Sequence, residues 1–119
     1  MEDKKLTLTI LFDFFGELLT AKQREYFDLY YNEDMSLSEI AENTGISRQG
    51  VRDMLVRSEA ALLEYEEKTG VVARYCALQR RVSELVTQAN ALASLASREE
   101  DKAAAEELAA GLKELALLN

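Results

Sequence analysis

The chain has 119 residues with 14 basic and 22 acidic side chains, a formal net charge of −8, no histidine and no proline. That length holds one domain, or one small domain with a helical appendage, and an apolar share of 48% supplies a core without metals or disulfides. The missing histidine removes the commonest general base near neutral pH and the commonest nitrogen ligand for metals, while the acidic balance has the wrong sign for tight non-specific attraction to a polyanion.

Scarce glycine and abundant Ala, Leu and Glu favour helix nearly everywhere. No basic region followed by a long apolar run opens the chain, so neither a signal peptide nor a membrane span is expected. Cys76 is alone and cannot form an intramolecular disulfide, which suits a cytoplasmic protein. Leu8, Leu11, Phe12, Phe15, Leu18 and Leu19 recur at spacings of three and four and predict an amphipathic helix over 6–19. Thr20 with Gln23 forms a capping box for a second helix, which runs to about Tyr31 and buries Tyr26, Phe27 and Tyr30 or Leu29. The helical spacing of Tyr26, Tyr30 and Tyr31 favours core and core-edge packing over base stacking. Asn32-Glu33-Asp34 reads as a polar turn.

Residues 36–55 carry the most informative pattern, a helix-turn-helix. Ser36 and Glu39 form a capping box, and Ala41 is small where the two helices must cross. Gly45 can take the positive φ that turns the chain, and Ser47 is placed to cap the next helix. Ile40, Ile46, Val51 and Met54 supply the apolar faces between the helices. The helix that begins at Ser47 continues through Leu55, Ser58, Leu62 and Tyr65 to Lys68 and stops at Gly70, a left-handed cap. Its far half is longer than groove reading needs and is expected to pack on the first helix or on a partner.

Arg48, Gln49 and Arg52 fall in the first turns of that helix, where a helix-turn-helix presents side chains to base edges. Arginine forms paired hydrogen bonds with guanine and glutamine does so with adenine, while Arg57, further along, suits a phosphate. Over 36–58 these three arginines balance Glu39, Glu42 and Asp53, so weak or selective binding fits better than strong general affinity. Asp53, on the same helix, would repel a phosphate. The same fold also serves as a protein-binding module.

Beyond Gly70 the composition shifts to Ala and Leu. Leu78, Val82, Leu85, Ala89, Leu92 and Ala96 form a coiled-coil-like stripe that Leu108, Leu112 and Leu115 repeat, with Ser97-Arg98-Glu99-Glu100 as a capping box between them. This predicts either a helical hairpin or two helices that join a neighbouring subunit. Arg74, Arg80 and Arg81 at the start of the tail read as a solvated face rather than an RNA patch. Enzymatic chemistry finds no support: Cys76 has no histidine to activate it, the carboxylates run along helix surfaces, and no glycine-rich phosphate loop is present. No cofactor and no metal is expected.

The helix-turn-helix together with Leu11-Phe12-Asp13-Phe14-Phe15-Gly16-Glu17-Leu18-Leu19-Thr20, Lys22-Gln23-Arg24, Tyr30-Tyr31 and Glu64-Tyr65-Glu66 resembles the YlxM-type bacterial helix-turn-helix family, UPF0122-like. The similarity covers about Leu6 to Gly70, and its central part also resembles the promoter-reading fourth region of sigma factors. The chain is too short to carry a sigma factor's melting domain as well. The resemblance implies a small cytoplasmic protein associated with the signal recognition particle pathway, acting as a regulator. The resulting expectation is an all-α fold with a helix-turn-helix domain over 1–70 and a helical tail over 71–119, the tail serving as a dimerisation element. The expected function is non-catalytic, DNA-binding and regulatory, in a homodimer without membrane insertion. The alternative is a protein adaptor that binds a signal recognition particle component without reading nucleic acid.

Overall fold

A computed structural model describes residues 4–118, which fall into two compact units, the first ending at Val72 and the second beginning at Ala73. The described residues form α-helices joined by short turns, with no strand among them. In the first unit, α1 (Lys4–Phe15) buries Leu8, Leu11 and Phe15 along one side. It does not continue to Leu19 as the apolar spacing predicts. Gly16–Leu18 form a single 3₁₀ turn, which leaves Leu18 outside and turns Leu19 inward. The Phe12 ring lies over Gly16, where an added Cβ would come within 3.2 Å of it. The chain must then extend to bring Thr20 into its capping position.

Thr20 closes the predicted box: its Oγ1 accepts from the Gln23 amide at 3.1 Å, and Gln23 Oε1 accepts from the Thr20 amide at 3.0 Å. α2 (Ala21–Phe27) buries Tyr26 and Phe27 and then widens into a π turn over Asp28–Asn32, rather than running as an α-helix to Tyr31. In that turn the Glu33 amide donates to the Asp28 carbonyl. The extra residue brings Tyr31 onto Phe27, so that Phe12, Phe27 and Tyr31 form a stack with centroid separations of 4.5 and 4.4 Å.

α3 (Leu37–Thr44) and α4 (Arg48–Thr69) complete the unit. Tyr26, Ile40, Val51 and Leu55 make one buried cluster, and Leu8, Leu11, Phe15, Leu19, Phe27 and Leu62 make the other. α4 is common to both. Its far half packs on α1, the first of the two neighbours foreseen for it, and it ends at Gly70 in the left-handed conformation with φ 64°. Ser58, the buried polar residue of α4, donates its hydroxyl to the Met54 carbonyl at 2.9 Å, so its burial leaves no unmet donor.

In the second unit α5 (Val71–Leu95) and α6 (Glu99–Leu117) fold back on each other. Gln79 Nε2 donates to the Ala116 carbonyl at 3.0 Å, while Leu92 and Leu108 border one hollow near the turn. The break between the helices falls where the sequence predicts, but the predicted capping box does not form. Arg98 occupies the N-cap and makes no capping bond, because a guanidinium has no acceptor; it pairs instead with Glu100 and Asp101. The seam draws on part of the predicted stripe, whose Val82 and Ala89 are buried while Leu78 and Leu92 are not. Val82, Ala89, Ala93, Ala105 and Ala109 are the buried residues, and Leu78, Leu92, Leu108 and Leu115 stay outside. The buried positions are mostly small side chains, and these leucines lie to the side of the seam.

Candidate nucleic-acid interface

The site is built from two caps and one turn. Ser36 Oγ accepts from the Glu39 amide at 3.0 Å, and Glu39 Oε1 accepts from the Ser36 amide at 2.8 Å, which fixes the start of α3. Gly45 then takes φ 81°, and its amide closes onto the Ala41 carbonyl at 2.9 Å. Ser47 Oγ accepts from the Gly50 amide at 3.0 Å and sets Arg48 as the first residue of α4. Ile40, Val51 and Met54 pack between the helices as expected, and Ile46 lies at their edge with its side chain over Gly50. It sits in the turn between the two caps and is 37% exposed.

Gly45 carries a testable consequence. A Cβ there would touch nothing within 4 Å, so any penalty comes from backbone conformation alone. Gly45→Ala is expected to cost about 1–2 kcal/mol, and Gly45→Asn less, because asparagine tolerates the left-handed region. Denaturant unfolding of the two variants checks this; equal losses would point to a steric cause instead.

Arg48, Gln49, Arg52 and Arg57 all lie on the exposed side of α4. Arg48, Arg52 and Arg57 make no hydrogen bond or ion pair among the described residues, so their guanidinium groups face solvent. Gln49 differs: its Nε2 donates to Asp53 Oδ1 at 2.9 Å, one helical turn on. That bond engages the acidic group opposing phosphate approach, and it occupies a donor that pairing with adenine needs. Arg57 falls a further turn beyond Asp53, on the same row.

Arg52 also borders a hollow that sequence reasoning did not foresee, with Lys4, Tyr30, Tyr31 and Glu59 on its walls. Lys4 lies far from Arg52 in the chain, and no local signal joins them. Within the hollow the Tyr31 hydroxyl donates to Glu59 Oε2 at 2.5 Å, and Lys4 Nζ stands 3.9 Å from Glu59 Oε1. Burial, and then the bond and charge of Glu59, push Tyr31 ionisation well above the usual tyrosine range. In the unfolded chain a tyrosine ionises near about pH 10. The raised value therefore adds stability that is intact below that pH and is lost as pH rises above it. Unfolding free energy is expected to fall above about pH 10, and Tyr31→Phe to remove part of that slope; an identical alkaline slope in the variant would place its origin elsewhere.

Two helices crossing around a left-handed glycine, the second capped and carrying solvated arginines on its outer side, define a helix-turn-helix protein. A family model described as "Putative helix-turn-helix protein, YlxM / p13 like" matches residues 2–104, and the chain belongs to that family. It is 49% identical over 85 residues to a UPF0122 protein of Caldanaerobacter subterraneus, covering 71% of this chain and 73% of that one. It is 53% identical over 75 residues to a UPF0122 protein of Halalkalibacterium halodurans, covering 63% and 69%. UPF0122 proteins of Bacillus cereus are 48% identical over 85 residues, covering 71% and 77%. The family is described by its helix-turn-helix and not by an enzymatic activity. No helix among the described residues is long and apolar enough to cross a membrane.

Proposed function

We propose that the chain is a non-catalytic, cytoplasmic DNA-binding regulator that acts in the signal recognition particle pathway. The observation that carries the DNA reading is the solvated Arg48–Arg52 pair, one turn apart on the exposed start of a capped helix. The link to the signal recognition particle rests on the likeness to the YlxM-type family. The helix-turn-helix unit supplies the reading surface with Arg48, Gln49, Arg52 and Arg57, and the tail brings two copies together. A dimer sets two reading helices on successive turns of one duplex, about 34–36 Å apart, and strengthens contacts that are weak singly. A protein with net charge −8 needs that help more than a basic one does.

A second reading is favoured by the Gln49–Asp53 bond, which withdraws a base-reading group and leaves a carboxylate on the same face. In it the exposed side of α4 is an adaptor surface for a protein component of the particle. Selection from random duplex DNA at low salt separates the two. Enrichment of one site, symmetric if two copies bind, supports the regulator; no enrichment supports the adaptor.

A further inference from the structure

One face of the α5–α6 hairpin is apolar and uncovered. Leu78, Leu85 and Leu92 follow one another at seven-residue spacing on α5, and Leu108 and Leu115 do so on α6 with Leu112 between them. With Gln79 paired to Ala116, the two stripes run along the same side of the seam. Leu78, Leu92, Leu108 and Leu115 are 52%, 58%, 54% and 47% exposed. The opposite side is polar, with Asn90, Ser94, Lys102 and Glu106 around a second hollow. Among the described residues of the hairpin, Val82, Ala89, Ala93, Ala105 and Ala109 are the buried ones, with Leu85, Val86 and Leu112 half-buried beside them.

We propose that this leucine face is the contact surface of a homodimer. Two hairpins stack face to face as an antiparallel four-helix bundle, with α5 of each copy lying over α6 of the other. The inference rests on the two-copy reading above and assigns its interface. Charge selects a second copy as the occupant. α5 carries Arg74, Arg80 and Arg81 against Glu84, whereas α6 carries Glu99, Glu100, Asp101, Glu106, Glu107 and Glu114 against Lys102 and Lys113. Arg74 and Arg81, seven apart, border the leucine stripe of α5; Glu100, Glu107 and Glu114, at the same spacing, run along the outer edge of α6. A two-fold axis along the bundle therefore sets a basic edge on an acidic edge twice. Stacking α5 on α5 would instead oppose like charges. Any other partner must supply both edges in the right order, and a second copy supplies them by symmetry. The Arg81–Glu84 pair, at 3.1 Å on an exposed helix surface, is weak and offers little resistance to exchange.

The test is sedimentation equilibrium of the full chain and two charge variants. The unaltered chain is expected to be dimeric at tens of micromolar. Arg74→Glu/Arg81→Glu and Glu107→Arg/Glu114→Arg should each dimerise at least about tenfold more weakly, while their equimolar mixture should recover the loss as a heterodimer. Recovery on mixing excludes unfolding as the cause. A monomeric full chain overturns both this interface and the two-copy reading. A dimer indifferent to both charge sets, or a mixture no tighter than its components, overturns this interface and leaves the two-copy reading standing.

Discussion

Replacing Phe27 with alanine is expected to lower the unfolding free energy of the helix-turn-helix unit by about 3–5 kcal/mol, close to the whole stability of many domains this size. Phe27 is fully buried, and its ring lies between Phe12 and Tyr31 at centroid distances of 4.5 and 4.4 Å. It belongs to the cluster that joins α1 to Leu62 on the far half of α4, so its loss opens a cavity among three elements at once. Phe15, near the Tyr65 ring at 5.8 Å and 7% exposed, should cost roughly 3 kcal/mol on truncation, because its cavity lies nearer solvent. Leu18→Ala is the control: at 61% exposure it should change stability by no more than about 0.5 kcal/mol. Unfolding is best followed in the near-ultraviolet signal of the aromatic stack, since the helical signal also reports the tail. An unchanged midpoint in Phe27→Ala would remove α1 and α2 from the cooperative core.

What the sequence made legible is what is decided locally. Both capping boxes of the first unit, the Ser47 cap and the left-handed Gly45 and Gly70 depend on residues within one turn of each other, and each appears as expected. The features that were not legible depend on distant partners. The π turn places Tyr31 on a ring already stacked against α1, and Leu19 turns inward to the cluster that Leu62 of α4 completes. Neither follows from periodicity. In the tail, three-and-four spacing correctly marks helices but cannot say which residues of the stripe close the seam. Val82 and Ala89, inside the predicted stripe, are buried, while Leu78 and Leu92 of the same stripe stay outside. At the candidate site the exposure of Arg48, Gln49, Arg52 and Arg57 follows from the helix face on which they fall. The Gln49–Asp53 bond obeys the same local rule and could have been read from their spacing, whereas Lys4 beside Arg52 could not.

The arginines on α4 should separate into two behaviours on DNA. Arg48→Ala is expected to cost about 1–3 kcal/mol on a selected site, roughly a five- to 150-fold loss, and to relax preference at one base position. Arg52→Ala should do the same at a neighbouring position, since the two side chains project one turn apart on the same row. Arg57→Ala should weaken every duplex alike and reduce the salt slope by about 0.9, as for one lost phosphate contact. The Gln49–Asp53 bond adds a discriminating arm. Asp53→Ala removes a carboxylate near the phosphates and frees the Gln49 amide, so it should tighten binding generally and sharpen any preference for adenine opposite Gln49. The changes are exposed, which keeps folding out of the comparison. Titrations at two salt concentrations, on the selected and a scrambled duplex, give all four quantities. If Arg48→Ala and Arg57→Ala weaken both duplexes equally, α4 touches only the backbone. If no variant changes binding, the exposed side of α4 serves a protein partner, and the same four substitutions become the probes for finding it.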